Sequence, residues 1–302
     1  PSLYIVMETE LWPNSLHSCR MRNIPTLVAN ARLSEKSARG YAKLSSLTLS
    51  MLENINVMAV QQQADAERFI KLGLSEENLH ITGSIKFDLT LDDALRERAT
   101  KLRALWSLNG SKPIWLAAST HHGEDAIILD AFTEIKKTFP ALLLVISPRH
   151  PERFNAVAAQ CEQQWKTIRY SSGAQVSLDT DIVIGDTMGE LLMFYGAVDI
   201  AFVGGSLVAS GGHNMIEPAA WACPIITGPS SFNFSEVVAV LQKNQAITTA
   251  NNSQDLVITI GHWLENVEDA HAAGSRAKQV ADANRGALKK LCRLIEGSQH
   301  ES

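Results

Sequence analysis

Between residues 211 and 218 the chain reads GGHNMIEP, and several of these residues can act on a ligand. Gly211 and Gly212 lack a Cβ and let the backbone turn tightly. Either His213 or Asn214 can cap a following helix, Asn being the better cap. Free N–H groups at a helix start favour an anion such as phosphate. Glu217, one turn in, can accept two ribose hydroxyls. The stretch can therefore hold both ends of a nucleoside phosphate. The simpler alternative is an ordinary capped helix with a solvent-facing glutamate.

Two other stretches carry complementary chemistry. In SPRHPER, Arg149 stands between Pro148 and Pro151, and two prolines stiffen a loop. A guanidinium grips phosphate through a planar fork. In GDTMGEL, Met188 offers an apolar face to a flat base. The backbone around Gly189 and Glu190 can read that base's edge. Thr187 and Glu190 also have the spacing of a helix capping box, and the two readings are compatible. Upstream, Glu8 and Arg32 follow apolar runs. Glu8 can face a cleft or complement a helix start, and Arg32 can meet an anionic substrate or pair with a carboxylate. Lys86 can stabilise a departing phosphate or stand as a surface lysine. His121 and His122 are adjacent, so they point in different directions, and no third ligand stands at helical spacing. A polar cap is expected there, and no metal.

These groups need elements to aim them. Short apolar runs at 3–7, 24–29, 57–60, 79–82, 114–118, 141–146, 182–184, 200–203, 224–227 and 246–250 have strand length. They alternate with segments of helical spacing, the βαβ order of parallel sheets, so the fold class is α/β. Ligands of such sheets sit outside the carboxyl ends of the strands, where these motifs fall. Helices are expected over 35–52 and near 63–72. The charged segment LTLDDALRERATKLRALWSL, then Asn109-Gly110-Ser111-Lys112-Pro113, marks a domain boundary within 84–112, with Lys86 at the hinge. Two helices close the chain, the last over about 269–295, and 297–302 reads as a frayed end.

The 302 residues suffice for two domains, and 45% hydrophobic content supports sizeable cores. The net charge is -5 with no basic run, which argues against a nucleic-acid partner. Cys19, Cys161, Cys223 and Cys292 lie far apart with no CxxC pair, as expected of reduced thiols rather than disulfides or zinc. No apolar run reaches membrane-spanning length, and no signal peptide stands at the start.

The motifs METELWPN, IPTLVANARLS, GYAKL, TGSIKFD, STHHGE, SPRHPERF, GDTMGEL, VGGSL, GGHNMIEPA and GPSSFNF follow one another across nearly the whole chain. Together they resemble the Kdo transferases, enzymes that move 3-deoxy-D-manno-octulosonic acid (Kdo) from its CMP-activated form to the lipid A precursor. The resemblance implies two Rossmann-like domains of the glycosyltransferase type B fold. Residues 1–88 would be the C-terminal part of the acceptor domain, 89–112 an interdomain linker, and 113–302 the CMP-Kdo donor domain with a C-terminal helix returning toward the first. It implies CMP contacts from Pro148, Arg149, Met188, Gly189, Glu190, Asn214, Met215, Ile216 and Glu217. It implies that Glu8 and Lys86 support the reaction centre, and that His121, like Arg32, can reach substrate.

The implied reaction is a direct displacement with inversion, with CMP-Kdo as donor and no cofactor or metal. The implied location is the cytoplasmic face of the bacterial inner membrane. The family carries a further N-terminal stretch holding a membrane anchor and the general base. A sequence beginning at Pro1 therefore reads as a fragment with an incomplete first domain, soluble and expected to bind CMP without transferring sugar. The alternatives are another type B transferase or epimerase using UDP, and a nucleotide-sugar binding module without chemistry.

Overall fold

The computed structural model describes residues 1–300, with side chains described through residue 298. The elements run β1 (Tyr4–Met7), α1 (Pro13–Arg20), β2 (Thr26–Ala31), α2 (Glu35–Ala42), α3 (Ser45–Leu52), β3 (Val57–Val60), α4 (Gln63–Lys71) and β4 (Leu79–Ile81). Then come α5 (Asp93–Trp106), β5 (Ile114–Thr120), α6 (Glu124–Thr138), β6 (Leu143–Pro148), α7 (Phe154–Glu162), β7 (Thr167–Arg169), β8 (Ile182–Ile184), α8 (Leu191–Tyr195) and β9 (Ile200–Val203). The rest is α9 (Ile216–Ala220), β10 (Ile225–Thr227), α10 (Ser235–Lys243), β11 (Thr248–Thr249), α11 (Ser253–Glu265), α12 (Val267–Ala283) and α13 (Ala287–His300). The chain divides into two compact units: residues 1–88 with the segment from Asn284 onward, and residues 89–283.

The first unit is built on a parallel sheet in the order β1-β2-β3-β4. Strand β2 is buried at all six positions, as a covered parallel strand must be. Its side chains alternate between faces. Val28, with Met58 and Val60, packs with Leu16, Leu52 and Phe69 of the helices. Leu27 and Ala29, with Ala59, pack under Leu291 of α13. Helix α13 thus belongs to the first unit.

The second unit holds seven parallel strands in the order β11-β10-β9-β5-β6-β8-β7. Central β5 is buried at all seven positions. On one face Trp115, Leu144 and Phe202 pack with Ile128 and Phe132 of α6 and Leu256 of α11. On the other, Leu116, Leu143 and Val145 pack with Trp106 of α5 and Phe194 of α8.

Helix α5 lies inside the span expected as a linker. Ala99, Leu102 and Trp106 form its buried stripe at helical spacing. Asp92 caps it by accepting the Leu95 N–H at 2.7 Å. Residues 89–112 are therefore part of the second unit, whose last helix ends at Ala283 rather than at the chain end.

Three further readings need correction. The helix expected over 35–52 is two helices, α2 and α3, and the Thr48 hydroxyl bonds back to the Tyr41 carbonyl at 2.8 Å across the break. The chain closes with three helices rather than two. Gly286, in the left-handed region at φ 99°, breaks α12 from α13. Asp88 then caps α13, accepting the N–H groups of Gly286 at 2.5 Å and Leu288 at 2.6 Å. The end expected to fray over 297–302 is helical to residue 300, and its last two residues lie outside the described ones. Strand β7, too short and polar to signal itself, was not foreseen.

Both units repeat one device at a sheet's carboxyl edge. Strand β2 carries an extra residue against β3, with Asn30 at φ 56°. Strand β5 carries one against β6, with Ser119 at φ 54°. A bulge of this kind leaves the extra residue, Asn30 or Ser119, unpaired and bends the strand, while Ala31 and Thr120 stay in the ladder against Val60 and Pro148. No helix among the described residues is long and apolar enough to cross a membrane.

Close packing of α12 gives a test. A Cβ on Gly274 would lie 1.9 Å from the Ala222 carbonyl oxygen, whereas one on Gly261 in α11 would meet nothing within 4 Å. Alanine is favoured over glycine in a helix by about 1 kcal/mol, but overpacking against fixed backbone costs about 1–3 kcal/mol. Gly274→Ala should therefore lower the urea unfolding midpoint, while Gly261→Ala leaves it unchanged or raises it. Equal midpoints for the two variants would remove the packing argument.

Candidate functional site

The loops after β9, β5, β6 and β8 leave four adjacent strands of the second sheet, all at its carboxyl edge. They carry GGHNMIEP, STHHGE, SPRHPER and GDTMGEL. One buried carboxylate joins two of them. Glu124 opens α6 and is 0% exposed. One of its oxygens accepts the N–H groups of His121 at 2.8 Å and Gly205 at 2.7 Å. The other accepts those of Ser206 and Leu207, both at 2.9 Å. Gly204 has to be glycine, since a Cβ there would lie 2.7 Å from the Ser119 carbonyl oxygen and 2.9 Å from the Glu124 carboxylate.

Arg153 fastens the third loop. Its guanidinium bonds to the Thr120 carbonyl and to Asp125, and the Thr120 hydroxyl donates to Asp125 at 2.8 Å. The Arg149 N–H also bonds the Thr120 carbonyl, at 3.1 Å. With its own backbone pinned, Arg149 keeps an exposed guanidinium at the edge.

These ties bring three imidazoles together. The Nε2 atoms of His121 and His213 lie 2.8 Å apart. Their rings stack with centroids 5.0 Å apart, and His150 meets His121 edge-on at 5.3 Å. Burial lowers the pKa of His213 to about 4, helped by His121, Arg149 and His150. Burial also lowers that of His121, against the pull of Glu124. At neutral pH both rings are uncharged, and one donates to the other.

Asn214 is not the helix cap expected of it: the cap position falls on Met215, and the Asn214 side-chain carbonyl, one place earlier, accepts the Ile216 N–H at 3.1 Å. Its amide donates to Glu217 at 3.1 Å. Burial raises the pKa of Glu217, while Asn214 and the nearby Arg149 guanidinium oppose the shift. Arg149, His213 and Glu217 thus share one electrostatic neighbourhood. Met215 and Ile216 are 0% and 1% exposed, so their side chains face the core. The Ile216 N–H is already taken by Asn214.

In GDTMGEL the capping box does not form. The Thr187 hydroxyl is buried without a partner, and α8 starts later, after Glu190. Glu190 instead binds Arg98 at 2.7 Å. Met188 is 62% exposed and Gly189 is left-handed at φ 83°. Asp186 anchors this turn by accepting from Arg169 at 2.7 Å and from the Ser171 N–H and hydroxyl at 2.8 and 2.6 Å. Burial pushes its pKa up, but these bonds outweigh burial and hold it low. In the GPSSFNF loop, the Asn233 amide donates to the Ser210 carbonyl at 3.0 Å.

The remaining candidates lie in the first unit. Glu8, left-handed at φ 57°, approaches Arg32 at 3.7 Å, and both are about two-fifths exposed. The Thr9 hydroxyl bonds the Arg32 carbonyl and accepts the Arg32 N–H, fixing the two loops together. Lys86 sits on the single helical turn Ile85–Phe87. Asn30 at the β2 bulge accepts the Ile85 N–H at 3.2 Å and so places that turn. Among the described residues no group of three or more His, Cys, Asp or Glu could hold a metal ion. All four cysteines are free.

Comparison with known proteins bears on these motifs. A family model described as 3-deoxy-D-manno-octulosonic-acid transferase matches residues 1–89. A 3-deoxy-D-manno-octulosonic acid transferase of Haemophilus influenzae is 44% identical over 298 residues, 98% of this chain and 69% of that protein. The chain belongs to the 3-deoxy-D-manno-octulosonic acid transferase family. The Bordetella pertussis member is 34% identical over 301 residues, again 69% of its length.

Among solved structures, the C-terminal CMP-Kdo binding domain of WaaA from Acinetobacter baumannii is 32% identical with a TM-score of 0.59. It covers 63% of this chain, and the chain covers 98% of it. A Neisseria meningitidis UDP-GlcNAc 2-epimerase covers 98% of the chain with a TM-score of 0.61 at 12% identity, a likeness of fold alone. The family member described here is thus an α/β glycosyltransferase of the type B class, with two Rossmann-like units.

Sequence reasoning missed Glu124, Arg153, Asp125 and the pairing of His121 with His213. The signal was present, since STHHGE and SPRHPER were both singled out, but an acid at a helix start has many uses. Three of its four partners lie 81 to 83 residues away, beyond the reach of local spacing.

Glu124→Ala would strand four N–H donors, two buried and two half-buried. Breaking a buried charge-assisted set costs about 3–5 kcal/mol. Glu124→Gln keeps the shape but turns an amide donor toward two of those donors, so it should recover little. Denaturant unfolding should show both losses, and amide exchange at Gly205 to Leu207 should quicken. Wild-type protection at these amides in either variant would contradict the assignment.

Proposed function

We propose that the second unit binds CMP-Kdo and that the family member transfers Kdo from it to a lipid A precursor. The observation that carries this is the shared electrostatic neighbourhood of Arg149 and Glu217, on loops from strands of one sheet edge. It stands in a chain that is 44% identical to a Kdo transferase. Arg149 would hold the CMP phosphate in its fork. Glu217, next to Asn214, would accept the ribose hydroxyls. Met188 and the Gly189 turn would meet the cytosine. The orphaned Thr187 hydroxyl supports a polar partner from outside the chain.

The reaction would be a displacement at the anomeric carbon with inversion: an acceptor hydroxyl attacks, CMP leaves and a base takes the hydroxyl proton. CMP has one phosphate, so cationic side chains rather than a chelated metal would balance the leaving charge. Lys86 is proposed to share that task, and Glu8 to steady the reaction centre through its contact with Arg32. The lipid A acceptor and attachment to the cytoplasmic face of the inner membrane belong to the same proposal.

Arg149→Ala and Glu217→Ala should each weaken CMP binding, by about tenfold or more for loss of a charge-assisted contact. Calorimetric titration of each variant with CMP reads this directly. In competition, UMP should displace CMP poorly. Unchanged CMP affinity in both variants, or equal binding of UMP, would defeat this reading.

A further inference from the structure

The histidine pair is more than a wall of the cleft. Its two Nε2 atoms face each other at 2.8 Å, a distance that requires one proton between them. An uncharged pair holds two protons, one between the rings and one on an outer Nδ1. It then offers a single outward donor. A pair carrying one more proton has N–H on both Nδ1 atoms and offers two. None of the hydrogen bonds within the chain reaches either Nδ1 among the described residues.

The pair is also built in. The Glu124 carboxylate fixes the His121 and Gly205 N–H groups. A Cβ on Gly205, itself at φ 66°, would lie 3.0 Å from the His213 ring and 3.3 Å from that of His121. The titratable and charged groups around it are Glu124, Arg149, His150 and Arg153. Three of these four are basic side chains, and the acid is spent on four backbone donors. The surroundings therefore suit an arriving anion.

Resting on the proposed CMP-Kdo reading, we infer that the His121–His213 pair recognises the carboxylate of the donor sugar and takes up a proton when it binds. Kdo carries its carboxylate on the carbon that also bears the phosphate. A group beside Arg149 is in the right neighbourhood to tell this sugar from an uncharged one. The empty pair is kept neutral by burial and by its cationic neighbours. An anion alongside reverses that balance and favours the charged form.

The test uses three ligands on the full chain at pH 6.5: CMP, a non-hydrolysable phosphonate analogue of CMP-Kdo, and the same analogue with a carboxamide in place of the carboxylate. Calorimetry in two buffers of different ionisation enthalpy counts protons. The carboxylate analogue should bind at least about tenfold more tightly than the carboxamide, with net proton uptake that the carboxamide lacks. His213→Asn and His121→Asn should erase that preference and the uptake while leaving CMP affinity within about twofold. Equal binding of the two analogues by the parent protein, or binding of the carboxylate without proton uptake, would overturn the inference whatever the variants do. Failure of the parent protein to bind CMP at all would instead sink the donor-site reading beneath it.

Discussion

Two neighbouring loops at the carboxyl edge of the second sheet hang on the Glu124 carboxylate. A buried ionised acid is costly unless all its lone pairs are engaged. Glu124 meets that condition with four backbone N–H groups drawn from two loops. The same bonds satisfy donors that no sheet or helix could reach, because the chain has left its strands at Thr120 and Val203. Loop shape and charge burial therefore solve one another. Remove either and the two loops lose their common register, and with it the approach of His121 to His213.

The glycines follow from that constraint. Gly204 passes so close to the β5 bulge that a side chain would strike backbone carbonyls, and Gly205 turns left-handed beneath the imidazoles. Gly212 donates its N–H to the Gly205 carbonyl at 2.7 Å, drawing the GGHN turn back onto the VGGS turn. Glycine's use here is close approach as much as freedom of φ. Asn30 in the first unit shows the same logic with a polar side chain: its left-handed backbone is made useful by an amide that fixes the Lys86 turn.

What was legible in the sequence was what local chemistry decides. Runs such as IWLAAS and LLLVIS announce buried parallel strands because both faces are covered. The glycine-rich and proline-rich loops announce the edge where ligands sit. What was not legible depends on distant partners. Nothing local ends a helix at Ala283, and the cap that restarts the chain at Ala287 is Asp88, 198 and 200 residues before the N–H groups it accepts. Helix α5 looked like a linker because its exposed faces are highly charged, and only the Ala99, Leu102 and Trp106 stripe shows its place in the core. In GDTMGEL a sound capping pattern lost to tertiary structure, since Arg98 drew Glu190 away. Fold class depends on periodicity, but a site depends on which loops share a donor.

A last consequence concerns charge. A site for an anion gains attraction from each cation, but cations held a few ångströms apart repel one another when the site is empty. Three histidines and two arginines gather at this edge, which would be an expensive cluster if every member were charged. The structure avoids most of that cost. Asp125 neutralises Arg153, and burial keeps His121 and His213 uncharged. Arg149 is left as the exposed guanidinium at the mouth. Further positive charge is then available only when an anion arrives to stabilise it, so attraction is drawn on in the bound state without being carried as repulsion in the free one.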